Sequence, residues 1–100
     1  MEIKEFIKEN LGDITFEKHF DATFKSLLES DIEDMKQFIL SCKNKQARPA
    51  VTSTGELAFI KRLGSSKRAI ILKIKSGDFK EIFLGEHKYY DYYRKKIGLL

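Results

Sequence analysis

The chain has a single cysteine and a single proline. None of its apolar runs comes near the roughly 18 residues of a membrane span. A lone cysteine, Cys42, excludes an internal disulfide and points to a reducing, intracellular setting. The opening MEIKEFIKEN lacks the charged-then-apolar order of a signal peptide, so a cytoplasmic protein without membrane attachment is expected. Histidine is scarce too: His19 and His87 stand 68 positions apart, and with one cysteine they offer no zinc-ligand spacing. Neither GxGxxG nor GxxxxGKS/T occurs, which removes the glycine-rich phosphate loops. No serine has an identifiable histidine partner and third orienting group, and Cys42 falls on an apolar stripe. The sequence therefore calls for no metal and no cofactor.

What is present suits one globular domain, residues 1–100, with a modest core. An apolar fraction of 42%, including 12% aromatics, argues against disorder despite 34% charged residues. The net charge of +4 is unevenly spread. Residues 1–42 carry a balance of −5, residues 43–75 one of +8, and residues 76–100 one of +1. An acidic front and a basic centre imply that one face meets a polyanion, although exposed mixed charge also serves solubility alone.

Ile3, Phe6, Ile7 and Leu11 recur at helical spacing, and Gly12 offers a stop, so an additional N-terminal helix is expected within residues 1–12. Residues 13–16 suit a short strand or the entry to a helix. Phe20, Phe24, Leu27 and Leu28 mark one face of a helix over 17–29, with His19 a boundary residue beside that stripe. Ser30-Asp31-Ile32-Glu33 fits a capping box that starts a helix over 31–43, and the two helices form an antiparallel hairpin. Residues 44–55 hold the proline and no periodicity, which predicts a loop. Strands are expected over 56–63, 67–75 and 79–84, the last apolar on both faces, followed by a helix over 86–97 that stops at Gly98. The fold class is α+β: a helical hairpin packed on a small antiparallel sheet, with extra helices at both termini. Helices on one face leave the other for basic side chains, and strand phase nominates Lys61, Lys73 and Lys75 for it.

From Lys67 onward the chain carries the residues that metal-free RNA cleavage needs. That reaction takes a proton from a 2′-hydroxyl, gives one to the leaving 5′-oxygen, and stabilises charge on the phosphate. An imidazole such as His87 suits proton transfer near neutrality. Lys67, Arg68, Lys73, Lys75 and Arg94 are the candidate cations. The four tyrosines, Tyr89, Tyr90, Tyr92 and Tyr93, can stack on unpaired bases. Three of them, Tyr89, Tyr92 and Tyr93, also have the spacing of a helix face seated on a sheet.

Residues 13–97 resemble the RelE-like toxins (RelE/ParE superfamily) of type II toxin–antitoxin pairs. The segments that carry the resemblance are Phe16-Glu17-Lys18-His19-Phe20 leading to Leu27-Leu28, the capped second helix, Lys67-Arg68-Ala69-Ile70-Ile71, and Gly85-Glu86-His87 before a tyrosine-rich run. The resemblance implies an endoribonuclease, an mRNA interferase that cuts translated mRNA on the ribosome and is silenced by a cognate antitoxin. It also implies that Arg68 stabilises the phosphate, that His87 transfers a proton, and that Tyr90 or Tyr93 orients the base or assists. Lys73 and Lys75 have no firm counterpart in the family and rest on charge and strand phase alone. The helix over 2–11 precedes the family's usual beginning, and several members end in a strand where a helix is expected here. The family includes gyrase-directed toxins and catalytically silent relatives, so a non-catalytic basic module that binds RNA or protein, or a gyrase-directed relative, is the alternative.

Overall fold

Three long strands organise the molecule. In the computed structural model, which describes residues 2–99, they are β3 (Leu57–Leu63), β4 (Lys67–Lys73) and β5 (Phe79–Glu86). They run antiparallel in sequence order, with Arg62 opposite Arg68 and Arg68 opposite Gly85. A register shift at Leu72/Lys73 bends the end of β4 before the turn at Ser76-Gly77. Two short edge strands complete the sheet: β1 (Thr15–Phe16), parallel to β5, and β2 (Ala50–Val51), antiparallel to β3. The strand order is β1-β5-β4-β3-β2. The β2 pairing falls inside the stretch expected to be a loop. Its two residues have no strand period of their own and pair only because β3 offers them an open edge.

The helices are α1 (Glu2–Leu11), α2 (Phe20–Phe24), α3 (Glu29–Lys43) and α4 (His87–Lys96). The α+β class, the N-terminal helix and the C-terminal helix are as expected. Gly12 and Gly98 end α1 and α4 with φ of 85° and 76°, a backbone setting that glycine adopts without steric cost.

Two local expectations are corrected. The helix expected over 17–29 shrinks to the five residues of α2, because Ser26 and Leu27 bond back to the carbonyls of Thr23 and Phe24 and tighten the chain into turns. Leu28 is 68% exposed and is not part of the core stripe. The capping box expected at Ser30 and Glu33 also shifts: α3 begins at Glu29, and the Asp31 carboxylate accepts from the Leu28 amide at 3.3 Å. The long helix α3 packs on α1 and on β3, while the short α2 lies against β5.

The sheet has a core on each side. Ile3, Ile7, Phe20, Met35, Ile39, Phe59, Ile71 and Ile82 belong to the first, beneath α1, α2 and α3. Ala58, Ile70, Leu72, Phe83, Tyr93 and Ile97 form the second, beneath α4. β4 and β5 are thus buried on both faces, as their continuous apolar runs require.

That second core corrects the placement of the lysines. Side chains directly opposite across a ladder share a face. Lys61 pairs with Ala69, and Lys73 with Leu57, and both partners belong to the core beneath α3. Lys73 and Lys75 border a cleft with Cys42 and Lys45, while Lys61 borders another with Asp34 and Ser41. Lys67 lies opposite Leu63 and faces the same way. All four therefore gather on the α3 side. The phase argument separated them correctly from Ile70 and Leu72 but assigned them to the face that lacks α3.

Candidate functional site

The α4 face of the sheet is where the expected catalytic residues converge. Arg68 projects from β4 into the second core's side, opposite Gly85, two residues before α4 begins at His87. Gly85 has to be small: a Cβ there would lie 2.5 Å from Cζ of Phe83, whose ring folds across it. The amide of His87 donates to the Ser66 carbonyl at 2.8 Å, clasping the start of α4 to the β3–β4 turn.

Tyr90 is the hub. The guanidinium carbon of Arg68 lies 5.9 Å from its ring centroid, and the His87 ring is centred 6.0 Å away. Positions 87 and 90 are one helical turn apart, so both side chains leave the same face of α4. Asp91, one turn beyond His87, places Oδ2 at 3.4 Å from His87 Nδ1 and Oδ1 at 3.5 Å from Arg94 Nε. His87 and Asp91 are both partly exposed, so the pair lies at the surface of α4.

Arg68 is only 9% exposed and has no carboxylate partner among the described residues. Its Nη1 donates to the Lys67 carbonyl at 3.0 Å, and the Tyr90 ring lies within cation–π reach of it. A guanidinium has five N–H donors, and burying it without an anion is costly. Among the described residues only Arg94 Nε is both sealed from solvent and without a hydrogen bond, so the Arg68 nitrogens that lack a protein partner keep some contact with solvent.

Tyr93 does not join this cluster. It is 2% exposed, its ring stacks on Phe83 at 4.5 Å, and its hydroxyl donates to a Glu81 carboxylate oxygen. Burial first, then the Glu81 hydrogen bond, push its phenol far above the ordinary range. Of the two tyrosines that the family resemblance left open, Tyr90 is the one beside Arg68 and His87. Tyr89 is engaged elsewhere: its ring stacks on His19 at 4.2 Å, with Lys88 Nζ 5.0 Å from its centroid. Tyr92 is 73% exposed. Arg94 is held beside Asp91, and Lys61, Lys67, Lys73 and Lys75 lie on the opposite side of the sheet.

Sequence reasoning passed over four polar groups that the structure uses. Asp91 was visible as an i,i+4 partner of His87. His19, treated as a boundary residue, is half-buried, and Glu17 grips it twice, accepting from its amide at 2.7 Å and bonding Nδ1 at 2.8 Å. The His19–Tyr89 stack borders a cleft of about 340 Å³ with Thr23, Ser26 and Glu86. No signal in the sequence distinguishes that dyad from a solvated pair. The fourth group is Arg62, which lies directly opposite Arg68 on the α4 side.

Comparison with known proteins leaves the reading to the geometry. No family model, curated protein or solved structure matches this chain. Among the described residues, no helix is long and apolar enough to cross a membrane, and no group of three or more His, Cys, Asp or Glu side chains could hold a metal ion.

Proposed function

We propose that this chain is a RelE-like toxin, an endoribonuclease that cuts translated mRNA on the ribosome and is restrained by a cognate antitoxin protein. The observation that carries the reading is Arg68: a buried guanidinium without a carboxylate partner among the described residues, beside the Tyr90 ring that His87 also approaches. The order of elements, from the short first strand through two helices to the basic central strand and the histidine-led last helix, agrees with the family resemblance.

In the reaction, the 2′-oxygen attacks the adjacent phosphorus as its proton passes to a solvent water, and the bond to the 5′-oxygen breaks as that oxygen takes a proton from His87. The products are a 2′,3′-cyclic phosphate and a 5′-hydroxyl. Arg68 stabilises the charge that builds on the non-bridging oxygens, where a preorganised cation counts most. His87, braced by Asp91, transfers the proton at the leaving 5′-oxygen. Tyr90 keeps the guanidinium plane in place and offers its edge to the adjoining base.

One observation favours a second reading, a non-catalytic basic module that docks on RNA or protein. Lys45, Lys73 and Lys75 converge on the α3 side, away from His87, where they contribute to docking and not to chemistry. The deciding experiment is primer extension on mRNA from translating ribosomes, comparing the native chain with His87→Ala. Discrete in-frame cuts that vanish in the variant support the nuclease. A folded, ribosome-binding protein that makes no cuts supports the docking module, and inhibited supercoiling without RNA cleavage supports a gyrase-directed relative.

A further inference from the structure

Arg62 and Arg68 lie directly opposite each other on β3 and β4. Facing side chains in an antiparallel pair have Cβ atoms about 4.5–5.5 Å apart, and like charges there are destabilising. The arrangement therefore costs the free protein stability. Nothing nearby offsets it: Arg62 is exposed and, like Arg68, has no carboxylate partner among the described residues. Of the acids on this side, Glu81 accepts from Tyr93, and Asp91 lies between His87 and Arg94.

The surroundings leave Arg62 accessible at the rim of the buried Arg68. α4 covers β5 and β4, whereas the later half of β3 is open: Ile60, opposite the buried Ile70, is 40% exposed, and Arg62 follows on the same face. A ligand arriving here meets Arg62 on the strand next to Arg68, with the exposed Ile60 on the same face and the Tyr90–His87 cluster beside Arg68. Two arginines opposed across a ladder set their positive charges on neighbouring strands, which suits the successive phosphates of one nucleic-acid strand, each guanidinium taking the oxygens of its own phosphate.

We propose that Arg62 and Arg68 form a phosphate clamp for single-stranded RNA, with Arg62 holding the backbone phosphate next to the one that Arg68 serves in cleavage. Arg62 acts as a positioning residue. This rests on the nuclease reading for its substrate, but not for the binding itself.

Binding of a non-cleavable 2′-O-methyl RNA oligonucleotide, measured across a salt series, tests the clamp. Losing one phosphate contact on a single strand lowers the salt slope by about 0.7 and weakens binding about fivefold at 0.1 M salt. Arg62→Ala should show both changes, while Arg48→Ala, which removes a loop cation elsewhere, should show neither to that extent. The same Arg62→Ala chain should melt higher by roughly 1–4 °C, because the like-charge pair is gone. A merely structural arginine would lower the melting temperature and leave the salt slope alone. The clamp is overturned if Arg62→Ala alters slope and affinity no more than Arg48→Ala, or if the native chain does not bind the oligonucleotide. Arg62-dependent binding without any cutting of ordinary RNA would keep the clamp and discard the nuclease. Normal cutting with a binding slope indifferent to Arg62 would do the reverse.

Discussion

The Tyr93 ring lies 4.5 Å from that of Phe83, only 13° from parallel, and its hydroxyl donates to Glu81. Through this stack α4 is pinned to β5, and through α4 the positions of His87 and Tyr90 relative to Arg68 are set.

The stack leaves no room to adjust at Gly85. Its neighbour Phe83 is fully buried, held by Tyr93 on one side and approached by His19 at 6.1 Å. Gly85→Ala should therefore cost about 1–3 kcal/mol by overpacking, read as a lowered urea midpoint with an unchanged slope. Adding Phe83→Leu should recover part of the loss. A neutral Gly85→Ala would mean that the ring can move aside.

Tyr93→Phe keeps the stack and removes the hydrogen bond, leaving the Glu81 carboxylate without its donor. The expected cost is about 1–3 kcal/mol at neutral pH. The phenol is raised in the folded state, so the native chain holds its proton at pH values where the unfolded chain has lost it. Stability is thus intact below the ordinary tyrosine value of 10.0 and falls as pH climbs beyond it, by up to about 1.4 kcal/mol per pH unit for this group. Urea titrations between pH 9 and 11 should show that decline in the native chain and a shallower one in Tyr93→Phe.

Cys42 is 3% exposed on α3, and burial pushes its thiol up to about 12. Almost no thiolate exists at pH 8, so a disulfide reagent should label the folded chain at a rate set by opening, and promptly once urea unfolds it. Rapid labelling without denaturant would contradict the packing. The sign matches that of Tyr93: the thiol's contribution to stability is present below the ordinary value of 9.0 and is lost as pH rises through about 12.

If Tyr90 acts by supporting Arg68, its ring matters more than its hydroxyl. Tyr90→Phe should retain most of the RNA-cleaving activity, whereas Tyr90→Ala should lose roughly tenfold or more, the worth of a partly desolvated cation–π contact. Single-turnover cleavage of the same message distinguishes the outcomes. A Phe variant as impaired as the Ala variant would assign chemistry to the phenol itself.

Much of this was legible in one dimension. Ile3, Ile7 and Leu11 before Gly12 determine α1, the alternation through β3 and β4 determines which residues oppose which in phase, and the span ending at Gly98 determines α4. Arg68, His87 and Tyr90 stand out by chemical type alone. Tertiary structure decided the rest. Periodicity separates the two sides of a strand but does not say which side a remote helix will cover, so Lys61, Lys73 and Lys75 were assigned away from α3 when they lie beside it. Register distinguishes Lys61 from Arg62, since a step of one residue along a strand reverses the face. Tyr90 and Tyr93 differ little in sequence; only the packing of α4 on Phe83 seals one in the core and leaves the other beside Arg68. Those choices depend on contacts between segments distant in the chain, such as β1 with β5, and local propensity carries no record of them.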